Sequence, residues 1–142
     1  MNVLARASMV LALLVVAAGC SVLQSRFEPR PPTPETSGGD RFPDVLAVEL
    51  RPQGGRVYDV AVTLSSPYDT PARYADGWRV LDSQGNVLGT HTLLHDHAAE
   101  QPFTRTQRGL VIPAGVDEVT VEGRDQANGF GGLSLTVAVP ES

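Results

Sequence analysis

The stretch DVLAVELRPQGGRVYDVAVTLS, residues 44–65, alternates apolar and polar side chains on both sides of a Gly-Gly pair. A period of two marks an extended chain with one buried face, because successive side chains of a strand point in opposite directions. Leu46, Val48 and Leu50 fall on one face, with Val45, Ala47 and Glu49 on the other. In the second half Tyr58, Val60, Val62 and Leu64 share one side, and Asp59, Ala61 and Thr63 the other. Gly54-Gly55 supplies the turn, so residues 44–51 and 56–65 are expected to form a hairpin.

The same pattern runs on to the C-terminal end. Residues 66–71 (SPYDTP) read as a loop, and strands are expected at 75–82 and 86–94, joined by Ser83-Gln84-Gly85-Asn86. Trp78 shares a face with Val80 and Asp82 and is the expected core anchor. A strand at 103–112 turns at Pro113-Ala114-Gly115 into one at 116–124, with Val119 and Val121 inward. After the glycine-dense loop 128–132, residues 133–139 place Leu133, Leu135, Val137 and Val139 on one face. The segment 44–140 thus carries seven short runs and no helical stripe of ten or more residues. Strand count, spacing and a Trp on the third strand resemble an immunoglobulin or fibronectin type III domain. The resemblance implies an all-β, seven-stranded antiparallel sandwich. Cys20 is the one cysteine, so the resemblance is architectural and not that of a disulfide-pinned immunoglobulin domain. An open barrel is the alternative.

Upstream of the strands the composition changes. Residues 21–43 contain prolines at 29, 31, 32, 34 and 43 and the pair Gly38-Gly39. Proline favours an extended path and the segment has little apolar content to bury, so residues 20–43 read as a tether. At ~3.1 Å per residue it would reach at most roughly 70 Å.

Before it lies LALLVVAAGCS, residues 11–21, preceded by Arg6. The apolar run of 7–18 suits a signal h-region and is too short for a permanent span of ~30 Å. Ala17-Ala18-Gly19-Cys20 resembles the lipobox of bacterial lipoproteins, with Ala17 where that pattern prefers a larger aliphatic residue. The resemblance implies a signal peptide over 1–19, cleavage before Cys20, and acylation of its thiol by long chains such as palmitate. Two or more chains bind a bilayer stably, at ~0.8 kcal/mol per buried methylene. It places the protein in the cell envelope as a membrane partner. Ser21, where an Asp would retain it at an inner membrane, points to the outer membrane facing the periplasm in a Gram-negative cell. An ordinary secretory signal or an uncleaved helix would leave a stray free thiol, which argues against both.

Charge excludes one class of partner. All eleven basic residues are arginine, and without residues 1–19 ten remain against sixteen acids. An acidic chain with no basic cluster is not a nucleic-acid binder.

All three histidines lie within HTLLHDH, residues 91–97. If the chain stayed extended, the even spacings would put His91, His95 and His97 on one face, where they could ligate Cu(II) or Zn(II). Leu88 and Leu94 suggest instead that the histidines face solvent at a strand end. Arg105 is placed to pair with Asp96 or Glu100 and pin the loop. Phe130, Tyr68 and Tyr74 mark loops at 66–75, 95–102 and 126–132 as contact surfaces. There is no Gly-x-Ser-x-Gly frame, phosphate loop or zinc-helix motif, so enzymatic activity is not expected. The reading is a non-enzymatic, lipid-anchored binding or structural module with another envelope protein as its partner. A periplasmic copper or zinc binder is the alternative.

Overall fold

The computed structural model describes residues 41–141, so Cys20, the signal peptide and most of the tether lie outside the described residues. Every regular element among them is a strand: β1 (Asp44–Gly54), β2 (Val57–Ser65), β3 (Ala75–Leu81), β4 (Val87–Thr92), β5 (Phe103–Val111), β6 (Glu118–Asp125), β7 (Gly129–Phe130) and β8 (Leu135–Ala138). One sheet has the order β1-β2-β5, the other β4-β3-β6-β7, and β8 also pairs with β6. All pairings are antiparallel. No helix among the described residues is long and apolar enough to cross a membrane.

Both sheets contribute to one core. Tyr58, Val60, Val62 and Leu64 are fully buried, as the period of β2 predicts, and they meet Trp78 and Val80 of β3 and Val119 and Val121 of β6. Each such side chain contributes ~1.5–3 kcal/mol on burial. The Tyr58 hydroxyl donates to the Pro140 carbonyl at 2.8 Å, so its polar tip is satisfied.

Two expectations need correction. The first concerns strand number. Eight strands form where seven were expected, because pairing along the free edge of β6 begins already at Gly129–Phe130 and resumes at Leu135–Ala138. The interruption has a physical cause. The incoming chain crosses there: the Val45 N–H donates to the Leu133 carbonyl at 2.8 Å, and the Leu133 N–H donates to Asp44 Oδ1 at 2.9 Å. The second concerns β1, where a bulge between Val45 and Ala47 shifts the alternation. Val45 is therefore buried and Leu46 is 47% exposed, the reverse of the simple pattern, while Val48 and Leu50 still pack on the core.

The crossing is a clasp. Pro43 is buried against Gly123, and the Arg41 carbonyl accepts from Arg73 Nη2 at 3.0 Å and Asn128 Nδ2 at 3.3 Å. Gly132 has φ +89°, and a Cβ there would collide with the Pro43 carbonyl. Gly132→Val is therefore expected to lower stability by more than ~1 kcal/mol, through strain and displacement of the crossing segment. A urea titration in which the variant keeps the parent midpoint would refute this.

Candidate functional site

Antiparallel pairing gathers three loops at the end where the chain enters. Asp44 lies opposite Ser65, Leu64 opposite Phe103, and Ala75 opposite Asp125. The connections 66–74, 93–102 and 126–128 therefore share this end. They overlap the expected contact loops 66–75, 95–102 and 126–132, and buried polar groups tie them together. Asp69 accepts from the Ala75 N–H through Oδ1 at 2.9 Å and from the His97 N–H through Oδ2 at 3.1 Å. Gln101 accepts from the Ser66 N–H at 2.7 Å and donates to Ser66 Oγ at 3.1 Å and to the His97 carbonyl at 3.2 Å. Such bonds satisfy backbone that would otherwise be orphaned.

Asp125 anchors the third loop. Its Oδ1 accepts from the Ala127 N–H at 3.1 Å, the Asn128 N–H at 2.8 Å and Asn128 Nδ2 at 2.6 Å, while Arg73 Nε stands 3.2 Å from Oδ2. Burial pushes its pKa up, but the Asn128 side chain and backbone and the Arg73 charge outweigh burial and hold it below the usual carboxylate value.

The three histidines do not converge. The chain leaves β4 after Thr92, so the even spacing no longer fixes the facing of residues 93–97. Leu93 goes in at 6% exposure and Leu94 goes out at 83%, opposite to the expected order. His97 is only 3% exposed, not solvent-facing. Its ring stacks on Phe103 at 3.9 Å and lies 4.7 Å from the His95 ring. Its Nδ1 is buried with no hydrogen bond. His95 is exposed, with Nδ1 2.9 Å from the Asp96 carbonyl. His91 sits elsewhere, stacked on Trp78 at 4.3 Å. Among the described residues no group of three or more His, Cys, Asp or Glu side chains is placed to hold one ion.

Of the other expected contact residues, Arg105 pairs with Glu100 at 2.8 Å and pins its loop. Tyr68 is half-buried under the Arg73 guanidinium at 4.4 Å, and burial, with Asp125 nearby, raises its pKa. The Tyr74 carbonyl accepts from the Gln126 N–H at 3.0 Å. The Phe130 ring carries Arg79 over it at 4.2 Å.

Burial lowers the His97 pKa, helped by Arg105 and His95, and burial lowers that of His91. The unfolded chain then binds more protons than the folded one from about pH 6.5 downward, so stability is full above that value and falls as pH drops towards the folded pKa values. The lowered carboxylates Asp125, Glu100, Asp82 and Glu49 add their loss only below their unfolded values near pH 4, whereas the raised Asp76 adds stability as pH falls towards that value and so opposes the histidine loss above it. His97→Phe keeps the stack on Phe103. It is expected to flatten the stability change between about pH 7 and about pH 5. An unchanged slope in denaturation midpoints would refute the assignment.

Phe130 and His91 help line a hollow of about 220 Å³ on the larger sheet. Asp76, Thr90, Thr92 and Arg124 provide its polar groups, and Trp78 completes the wall. Arg124 Nη1 meets Asp76 Oδ2, while Asp76 Oδ1 is buried without a hydrogen bond. Burial raises the Asp76 pKa against the opposing effect of Arg124. Sequence reading missed this place because Asp76, Thr90 and Arg124 come from three strands and each reads as an ordinary outward position. It missed Asp125 and Asp69 as well, although an Asp three residues before Asn128 at a strand end is a turn signal.

Fold and site together define an all-β, two-sheet domain with a mixed polar and aromatic hollow on its larger sheet. It is similar to a protein of Halomicrobium mukohataei described as "Putative lipoprotein", with 40% identity over 104 residues, 72% of this chain and 51% of the relative. The chain spans about half the length of that curated relative. No family model matches. No solved structure matches.

Proposed function

We propose that the chain is a lipid-anchored, non-enzymatic binding module of the cell envelope. Cys20 carries the acyl groups, residues 1–19 are the signal peptide and residues 20–43 the tether that presents the domain. The observation that carries this reading is the likeness to a protein described as a lipoprotein, which agrees with the Ala17-Ala18-Gly19-Cys20 pattern. In a cell with two membranes the domain sits at the outer one and faces the periplasm, as Ser21 suggests. The sheet memberships favour an immunoglobulin or fibronectin III-like sandwich in which β7 and β8 are one broken strand and β4 joins β3 in the second sheet. A binding role is favoured over catalysis because the carboxylate in the hollow is neutralised by Arg124.

Detergent phase partitioning tests the anchor. The full chain is expected in the detergent phase and Cys20→Ser in the aqueous phase. Mass spectrometry of an exported chain with an unmodified Cys20 would defeat the reading.

A second reading, Cu(II) or Zn(II) binding, is favoured by the approach of the His95 and His97 rings to 4.7 Å and by the unpartnered Nδ1 of His97. Calorimetric titration with each metal tests it, with His95→Ala/His97→Ala as the control. Heat unaltered in the double variant would end it.

A further inference from the structure

The hollow beside β4 combines features that point to one kind of ligand. Its charges are closed: Arg124 pairs with Asp76, and Arg79, which lies over Phe130, pairs with Glu122 at 2.7 Å. A net anion would meet Asp76 and a net cation would meet Arg124, so neither finds an uncompensated partner. Yet the hollow is not satisfied. Asp76 Oδ1 is buried and accepts no hydrogen bond, a state that costs free energy until a donor reaches it. Thr90 and Thr92 are exposed and add hydroxyls that both donate and accept. Phe130 and His91 supply apolar ring surface beside these groups, and the buried Trp78 ring stacks on His91 at 4.3 Å.

A ligand matching this set is neutral, has adjacent O–H groups that donate to a carboxylate and accept from a guanidinium, and carries C–H surface for the rings. We propose that the hollow binds a neutral polyhydroxylated ring, a single sugar residue, with one hydroxyl donating to the Asp76 carboxylate and a neighbouring oxygen accepting from Arg124. Its volume of about 220 Å³ leaves room for one such ring. Convergent polar groups in a concavity with a perturbed carboxylate are the usual marks of a ligand site. The inference rests on the reading of the domain as a binding module and does not depend on the lipid anchor.

Trp78 is the one tryptophan in the chain and forms part of the wall, so its fluorescence is a built-in reporter. Full-length chain in detergent micelles is titrated with glucose, galactose, mannose and N-acetylglucosamine, and separately with inorganic phosphate and guanidinium. A saturable change in Trp78 emission with at least one sugar, in the millimolar range or tighter, is expected. Asp76→Asn is expected to weaken it at least tenfold, and Thr90→Val/Thr92→Val severalfold. Circular dichroism confirms that each variant keeps its strands. If Asp76→Asn unfolds the domain, the threonine pair alone decides, and affinity unaltered in that variant overturns the proposal. Silence towards all four sugars overturns it too. Saturation by phosphate or guanidinium with the sugars silent overturns the sugar assignment while leaving the binding role intact. Loss of lipidation in the partitioning experiment leaves this result untouched, so the two readings fail separately.

Discussion

Asp125→Ala is expected to remove about 3–5 kcal/mol of folding free energy, a large share of the 5–15 kcal/mol typical of a domain. Asp125 is 0% exposed, and its carboxylate takes three N–H donors on Oδ1 and the Arg73 guanidinium on Oδ2. Alanine leaves those donors facing a void. It also releases Arg73, whose Nη2 holds the Arg41 carbonyl, and Asn128, which holds the same carbonyl. One substitution therefore loosens the 126–128 loop and the point where the chain enters the domain. With m of about 1–3 kcal/mol/M, the urea midpoint of the 41–142 fragment should fall by about 1 M or more. Asp125→Asn keeps an acceptor for Asn128 and the backbone but loses the ionic part, so its loss should be intermediate. Because the folded pKa is lowered, the ionic contribution is present above the unfolded value near pH 4 and disappears as pH falls through the folded one. Equal midpoints for Asp125→Asn and the parent at neutral pH would mean that the Arg73 pairing is stabilising nothing.

How far the sequence revealed this molecule depends on which interactions are local. The alternation in residues 57–65 is reproduced in the burial of Tyr58, Val60, Val62 and Leu64, because one face of β2 lies on the core along its whole length. The turns are likewise set by nearby residues: the first falls at Gly55-Arg56, one residue on from the expected Gly54-Gly55, with both φ positive, and at Ser83–Asn86 Asp82 Oδ1 accepts from the Gln84 and Asn86 N–H groups. What could not be read comes from distant chain. The bulge at Leu46 and the break at Gly131-Gly132 exist because residues 42–45 cross to the second sheet, a contact between positions almost ninety apart. The histidine segment fails for a related reason. Its even spacing predicts one face only while the chain is a strand, but Asp69 draws the His97 backbone inward and turns His97 onto Phe103. The hollow was illegible because its residues are assembled by register between β3, β4 and β6.

Trp78→Ala is expected to be as damaging as the Asp125 change, at about 3–5 kcal/mol, because a large aromatic is removed from a site where it is 1% exposed. Part of that loss is not volume. Trp78 Nε1 donates to Gln107 Oε1 at 3.1 Å, and Gln107 in turn donates to the Thr90 carbonyl at 3.3 Å, so one buried chain of bonds links the two sheets. Trp78→Phe keeps most of the ring and removes only the donor. It should cost about 1–3 kcal/mol beyond the lost ring area, since Gln107 Oε1 is then buried and unpaired. Gln107→Leu removes that unpaired oxygen at similar volume, and the pair Trp78→Phe/Gln107→Leu should be less damaged than the sum of its parts, with a coupling of about 0.5–3 kcal/mol. Strictly additive midpoints in the four-member cycle would mean that the Trp78–Gln107 bond carries no net stability. The same bond also positions the ring on which His91 stacks, at the wall of the hollow. The Phe variant should therefore loosen His91 and raise its depressed pKa towards the ordinary value, a change that proton NMR of the imidazole would follow.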